Sequence, residues 1–447
     1  MFWKRKLPRI AVYLRHPCMK RIQDSKIQHR LNDLLVILFF VSFIFSIRYL
    51  VGLITVLMTA NALLAYKLES GKWWNPGFFS LFTIGLFLYF AMQAIALLYT
   101  VNLREGFAIF KANLGMIALP VGVLYSGLLN RQSFGRCMKG YIYILFAATV
   151  LALVSASVSF FQHRDPTVFF YHPLVRLYSD HAIQFSVIVF IGLLFLMEEY
   201  SGRFFMKSRT RIIALIIYFS FFLFLLSSKL VIIIYFLYVL YKIVFTKTVI
   251  RRKVYRFAGL FILVALMAVA FIMNTPFSKR IENEADAPIS MIRKQQFNPG
   301  DYFTGVQFRI LSWRFVYEIL KEKHAWILGV SPGDSQDVLA EKYTRENMFT
   351  GGTPGNKTGY LGYHSHNQFL QAILETGIFG LAFFAMACLG LIRMAGKSAY
   401  GPLSVLVFLL LCNCFTDAPL KTQYGIVLFV FFPLFLYKGN EKYEQSV

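Results

Sequence analysis

The stretch Tyr363-His364-Ser365-His366-Asn367 places two imidazoles and a carboxamide directly before a long apolar run that begins at Gln368. Histidine titrates nearest neutrality of all side chains, so it can take a proton from a hydroxyl and release it again. Set at the lip of a membrane helix, such a group meets a lipid-borne molecule and water together. His366 is the first candidate for this base. His364, two residues earlier, either orients it or faces the second reactant. Arg309 and Trp313 are four residues apart and share one face of an expected helix, where Trp313 reads as an interface anchor or as a platform for a sugar ring. Lys229 interrupts an apolar stretch after Ser227-Ser228. It is either a lysine snorkelling at a turn or a contact for an anion.

Other chemistries find less footing. Residues 161–181 hold His163, His172 and His181 beside Asp165 and Asp180, but their spacing fits no pair of ligands one helical turn apart. Interfacial His and Tyr are the plainer reading of that loop. Of the five cysteines, Cys18, Cys137, Cys388, Cys412 and Cys414, none lies in the one long polar segment, so no disulfide framework or thiolate metal site is expected there. A turn at Gly329-Val330-Ser331-Pro332-Gly333-Asp334 precedes a short expected helix, about 335–343, with Asp334 or Ser335 as its cap. A phosphate at that helix start is disfavoured by the carboxylate of Asp334. Residues 346–359 read as a mobile flap. No P-loop, dinucleotide fingerprint, G-x-S-x-G elbow or H-E-x-x-H occurs.

The elements that must position these residues follow from composition. The chain has 447 residues, 57% of them hydrophobic, with 48 Phe and 25 Tyr, and its mean hydropathy is +0.57. That excludes an ordinary soluble protein and points to an all-α polytopic membrane protein. The formal charge of +24 would suit nucleic acid, but the basic residues cluster between apolar runs, which is the pattern that orients membrane spans. No nucleic-acid partner is needed; membrane lipids are the expected surroundings. The first thirty or so residues are basic and polar, so no cleavable signal is expected.

Apolar runs near 32–47, 49–66, 77–98, 108–128, 140–160, 182–197, 212–227, 229–246, 257–273, 367–392, 401–416 and 422–437 predict about twelve spans. Residues 212–241 as one helix would reach about 45 Å, too long for one crossing, so a hairpin turning at Ser227–Lys229 is expected. The basic connectors near 67–75, 129–139, 198–211, 242–256 and 393–400 then share the cytoplasmic side with both termini. The expected organisation is a basic segment 1–31, a bundle 32–273, a large and mainly helical outer loop 274–365, a C-terminal bundle 366–437 and a tail 438–447. The loop holds eleven Lys and Arg against ten Asp and Glu, as a small soluble subdomain would. Within it, Phe308, Leu311, Phe315 and Ile319 form one stripe of a helix over 305–323.

The ordered set His366-Asn367, Leu370, Glu375, Gly377 and Gly380, preceded by Arg309-x-x-x-Trp313 and Gly329-x-x-x-Gly333, resembles the O-antigen ligase superfamily of polytopic bacterial glycosyltransferases. That superfamily includes O-antigen polymerases and protein O-oligosaccharyltransferases, and the resemblance extends over roughly residues 180–395. It implies transfer of a glycan from an undecaprenyl-diphosphate carrier to lipid A–core, or to a second carrier-linked unit, at the periplasmic face of the inner membrane. It implies neither metal nor cofactor. The essential histidine of the family falls on His366 and its loop arginine on Arg309, with His364, Asn367 and Trp313 nearby as substrate contacts. Lys229 stands where many members have arginine; it keeps the charge and loses the two-pronged fork. Direct attack would invert the anomeric centre, so no paired carboxylates are required. Glu375, nearly opposite His366 on a continuous helix, is expected to pair with another span, and Gly377 and Gly380 to let helices approach. A polymerase of the same superfamily is the alternative. A lipid-linked glycan flippase, from a different class, would place its ionisable groups in mid-membrane helices instead.

Overall fold

A helix satisfies its own backbone groups in hydrocarbon, so apolar runs that cross a membrane become helices. The computed structural model describes residues 10–73, 75, 78–125, 127–178, 181–203, 206, 208–245, 288–352 and 358–441, with side chains of the first helix from Ile27 on. Among these residues all regular structure is helical. The first half comprises α1 (Ile10–Ile44), α2 (Arg48–Ser70), α3 (Leu81–Ala96), α4 (Leu103–Asn113), α5 (Gly115–Leu124), α6 (Arg131–His163), α7 (Tyr171–Val175), α8 (Ala182–Glu198), α9 (Arg209–Leu225) and α10 (Lys229–Phe245). The second comprises α11 (Gly305–Glu322), α12 (Ser335–Arg345), α13 (Gln368–Lys397), α14 (Gly401–Thr416), α15 (Gln423–Ile426) and α16 (Phe432–Glu441).

Among the described residues, six helical stretches are long and apolar enough to cross a membrane: Ile27–Ile44, Arg48–Ser70, Leu103–Leu124, Arg131–His163, Ala182–Ser201 and Gln368–Lys397, with Leu81–Ala96 and Gly401–Thr416 as shorter apolar helices. The chain is a polytopic membrane protein. Helices α9 and α10 have 17 residues each, about 26 Å at 1.5 Å per residue. The chain reverses between them at Ser227, with φ +51°, where the hairpin was expected. The run expected at 108–128 is α4 and α5, which meet at Leu114 with helical dihedrals and together make the stretch Leu103–Leu124. Helix α1 extends back to Ile10 through the basic segment. The expected span 257–273, the loop start 274–287 and the flap residues 353–357 lie outside the described residues.

The bundle core is aromatic. Phe39, Phe40 and Phe43 of α1 meet Phe431, Phe432 and Phe435 of the last helical segment, all 1% exposed or less. Helices α3 and α13 cross closely because Gly85 lies on the backbone of Ala387 and Gly390 on that of Phe82, as small residues permit between membrane helices.

Residues 288–352 and 358–365 build a subdomain around α11 and α12. Thr304 and Gln307 close a reciprocal cap at the start of α11. Its stripe of Phe308, Leu311, Phe315 and Ile319 is buried together with Leu339 and Tyr343 of α12. Burial works to lower the pKa of Lys342, but hydrogen bonds to Glu318, Glu322 and Glu346 outweigh it and raise the pKa, fixing α12 to α11. Asp334 occupies the cap position of α12, yet its carboxylate accepts from the Val101 and Asn102 amides ahead of α4. The acidic residue at the turn therefore docks the subdomain onto the bundle.

Helix α13 is not continuous. Gly377 has φ +66° and ψ −161°, a conformation essentially confined to glycine. A Cβ there would collide with the Ile327 carbonyl. The freed carbonyls of Leu374 and Glu375 accept from Val330 N (2.7 Å) and Ser331 N (3.1 Å), and Ile378 N donates to Trp326 O (2.9 Å). Gly377→Ala is expected to cost about 1–3 kcal/mol from the backbone alone, with the collision added to it. A thermal melt of the detergent-solubilised variant should fall well below that of the wild type, and an unchanged melt would contradict this geometry.

Candidate active site

The two histidines of the starting motif sit on a loop that two helices hold. Ser312 of α11 donates to Ser365 O (2.9 Å), Gln336 of α12 to Leu361 O (2.7 Å), and Tyr343 of α12 to Tyr363 O (3.2 Å). His366 itself has φ +47°, the left-handed region that turns the chain sharply before α13. Asn367 then caps α13: its side-chain oxygen accepts from Phe369 N (2.9 Å) and Leu370 N (3.1 Å), and its amide donates to Phe415 O (3.4 Å). The carboxamide expected at the substrate is thus engaged in holding the helix that follows the base.

Between the two imidazoles stands a residue the sequence reading did not single out. Asp417 Oδ1 lies 3.5 Å from His366 Nδ1 and 3.5 Å from His364 Nε2. His364 Nδ1 accepts the backbone N–H of His366 (3.1 Å), so its neutral ring carries the proton on Nε2, directed at Asp417. His366, with Nδ1 toward the same carboxylate, is left with Nε2 as its lone-pair nitrogen. That atom is shielded from solvent and has no hydrogen-bond partner among the described residues. A buried acceptor without a partner is costly, and here it belongs to the ring the motif marks as reactive.

The titration of the trio follows from these positions. Burial, reinforced by His366, pushes His364 down to about 3, although Asp417 pulls the other way. For Asp417 burial acts to raise the pKa, but the hydrogen bond from His366 and the field of both imidazoles hold it at about 2. His364 therefore stays neutral and Asp417 ionised throughout the physiological range. The sign of the stability effect is the same for both groups. In acid the unfolded chain binds protons that the folded chain refuses, so stability falls as pH drops from 6.5 toward 3 for His364 and from 3.8 toward 2 for Asp417. The melting temperature is expected to decline between pH 7 and pH 4, and His364→Gln to flatten that decline. An equal slope in the variant would contradict the depressed His364.

The donor atoms of His364, His366 and Asp417 all lie within 4.8 Å of one another, which by spacing alone could hold a cation. The hydrogen bonds argue otherwise. His364 presents Nε2–H rather than a lone pair, and Asp417 faces both rings as an acceptor. The donor set suits a hydrogen-bonded trio better than a metal.

The imidazole of His366 lines a cleft of about 550 Å³ whose walls include Tyr302, Phe308, Tyr360 and Tyr363. Phe308 and Tyr360 stack at 5.0 Å, and the ring centres of Phe308 and Tyr363 each lie 5.7 Å from that of His366. Arg309 lines the same cleft. Its Nε donates to Thr416 O (2.7 Å) and one terminal nitrogen to Gly305 O (2.9 Å). Two of five N–H groups are thereby anchored, one of them on the residue preceding Asp417, and the rest of the fork is available to a ligand. Tyr171, the first residue of α7, also reaches the cleft, with φ +58°. The histidines of residues 161–181 form no metal cluster among the described residues; His172 Nδ1 accepts from Ala182 N (3.3 Å).

Two expected contacts lie off the cleft wall. Trp313 is not among the lining residues, and its Nε1–H is buried without a partner among the described residues. Lys229 opens α10, half-buried, at the hairpin turn. Glu375, expected to pair with another span, pairs instead with Lys421 in the short turn Pro419–Lys421, at 3.1 Å. Sequence comparison adds that residues 204–385 match the family model described as O-antigen ligase. No curated protein matches the chain. The matched stretch contains Arg309 and His366 and ends before Asp417.

Proposed function

We propose that this chain, which carries an enzyme domain of the O-antigen ligase family over residues 204–385, moves a glycan from an undecaprenyl-diphosphate carrier to lipid A–core, with His366 as general base. The observation that carries the reading is a single ring: His366 lines an aromatic cleft beside Arg309, with Nδ1 toward Asp417 and Nε2 unpartnered. Nε2 is covered in this structure, so the cleft wall parts for the acceptor hydroxyl to give it its proton as the hydroxyl oxygen bonds to the anomeric carbon. The bond from that carbon to the diphosphate breaks with its electrons on the departing oxygen. Arg309 meets the developing charge with its remaining N–H groups. One displacement inverts the anomeric centre, and no metal takes part.

Topology supports a site on the outer, periplasmic face of the inner membrane. Basic residues gather at the opposite ends of the helices: Arg131, Arg136 and Lys139 on α6, Arg209 and Arg211 on α9, Arg393 and Lys397 on α13. By the positive-inside pattern those ends are cytoplasmic. The termini share that side in the twelve-span arrangement.

The test is purified protein with a carrier-linked oligosaccharide and lipid A–core, in chelator and without nucleotide. Glycosylated lipid A–core is the expected product. Longer carrier-linked chains would instead make the protein a polymerase of the same family. Absence of both, with carrier-linked glycan crossing vesicle membranes, would make it a transporter.

A further inference from the structure

Glu375 and Lys421 take no part in the cleft, yet they sit at the centre of a buried polar group that joins both halves of the base. Glu375 is 2% exposed, and its Oε1 accepts from Lys421 Nζ (3.1 Å), Gln371 Nε2 (2.8 Å) and Ser335 Oγ (3.4 Å). Lys421 also reaches Ser335 Oγ at 3.3 Å. Gln371 accepts from Ser365 Oγ (2.8 Å) through the oxygen of its amide. Ser365 immediately precedes His366, and Lys421 lies one tight turn beyond Asp417. One end of the network therefore fixes the backbone of the base and the other fixes the connector that carries its carboxylate.

The break at Gly377 makes this possible. It lets the 329–331 turn pair with Leu374 and Glu375, and Gly329, at φ +73°, lies flat on the Glu375 backbone where a Cβ would collide. Ser335, four residues on from Ser331, thereby comes within reach of the carboxylate. A continuous helix would close the carbonyls of Leu374 and Glu375 internally and keep the turn away.

We infer that the Glu375–Lys421 ion pair is a positioning device, which sets the separation of His366 from Asp417 through Ser365 and Gln371 on one side and the 417–421 connector on the other. The inference rests on His366 as base. A buried pair is a poor source of net stability but a strict geometric constraint, since breaking it leaves a charge uncompensated. The Glu375→Gln/Lys421→Met double variant removes both charges together and preserves the packing.

The test measures transfer from the carrier-linked oligosaccharide to lipid A–core with full-length Lys421→Met, Lys421→Arg, Glu375→Gln and the double variant, beside His366→Ala. The expected result is kcat reduced roughly 10–100-fold in Lys421→Met, in Glu375→Gln and, without further loss, in the double variant, as for residues that act as a unit. KM should stay within about twofold, because neither residue touches the cleft, and Lys421→Arg should recover most of kcat. If Lys421→Met does not fold, the double variant and Lys421→Arg decide. Wild-type kcat in a folded double variant, or a rise in KM matching the fall in kcat, would overturn the positioning role while His366→Ala stays inactive. Activity in His366→Ala would overturn the reading on which it rests.

Discussion

His366→Ala is expected to lower kcat for glycan transfer by roughly 10²–10⁴-fold, the usual worth of a general base, with KM close to that of the wild type. The split follows from position. The imidazole is one part of the cleft wall, so its loss removes little of the surface that holds the sugar. It does remove the only group in the trio with a lone pair to offer: His364 is turned to donate, and Asp417 faces both rings. His364 cannot substitute for it, because burial and its neighbours keep it far below neutrality and its remaining nitrogen accepts a backbone N–H. Kinetics on protein of matched melting temperature check this result, and a variant with wild-type kcat would remove His366 from the chemistry.

Asp417→Asn should produce the second large loss, again roughly 10²–10⁴-fold in kcat, through loss of the charge that stabilises His366 when it is protonated. Both rings, each at 3.5 Å, and the Ala418 amide face the same oxygen, Oδ1. An Asn oxygen keeps that position but not the negative charge, so His366 loses the partner that stabilises it once it has taken the acceptor proton. The variant should fold, since Asn matches Asp in shape and the Ala418 amide that Asp417 caps at 2.9 Å finds the amide oxygen. Reduced kcat with retained KM and retained melting temperature supports this account. Full activity in Asp417→Asn would show that the base needs no orienting carboxylate.

The parts of the site that were legible in the sequence are those where chemistry and spacing coincide within one element. His364, His366 and Asn367 are contiguous, and Arg309 sits on a helix whose apolar stripe announces its period. The reversal at Ser227 was legible because a doubled apolar run exceeds one membrane crossing. Asp417 was not, because it stands in a short connector beyond the matched stretch, where a lone acidic residue reads as a loop solvated at a membrane surface. Tyr171 reaches the cleft through a left-handed backbone conformation that its residue type does not advertise. The partner of Glu375 was misread because α13 was taken as continuous; Gly377 looked like a packing residue and is instead the point where the helix opens to admit the 329–331 turn. Span positions were legible as well: α9, α10 and α14 lie on the runs expected at 212–227, 229–246 and 401–416.

Chemical rescue addresses the lone pair on His366 Nε2 most directly. Transfer of the glycan to lipid A–core is measured in His366→Ala, in a cleft now short of an imidazole, as free imidazole is added across pH. The account predicts a rate that rises with the concentration of neutral imidazole and disappears when the added base is protonated. Transfer at the wild-type rate before any imidazole is added would contradict it.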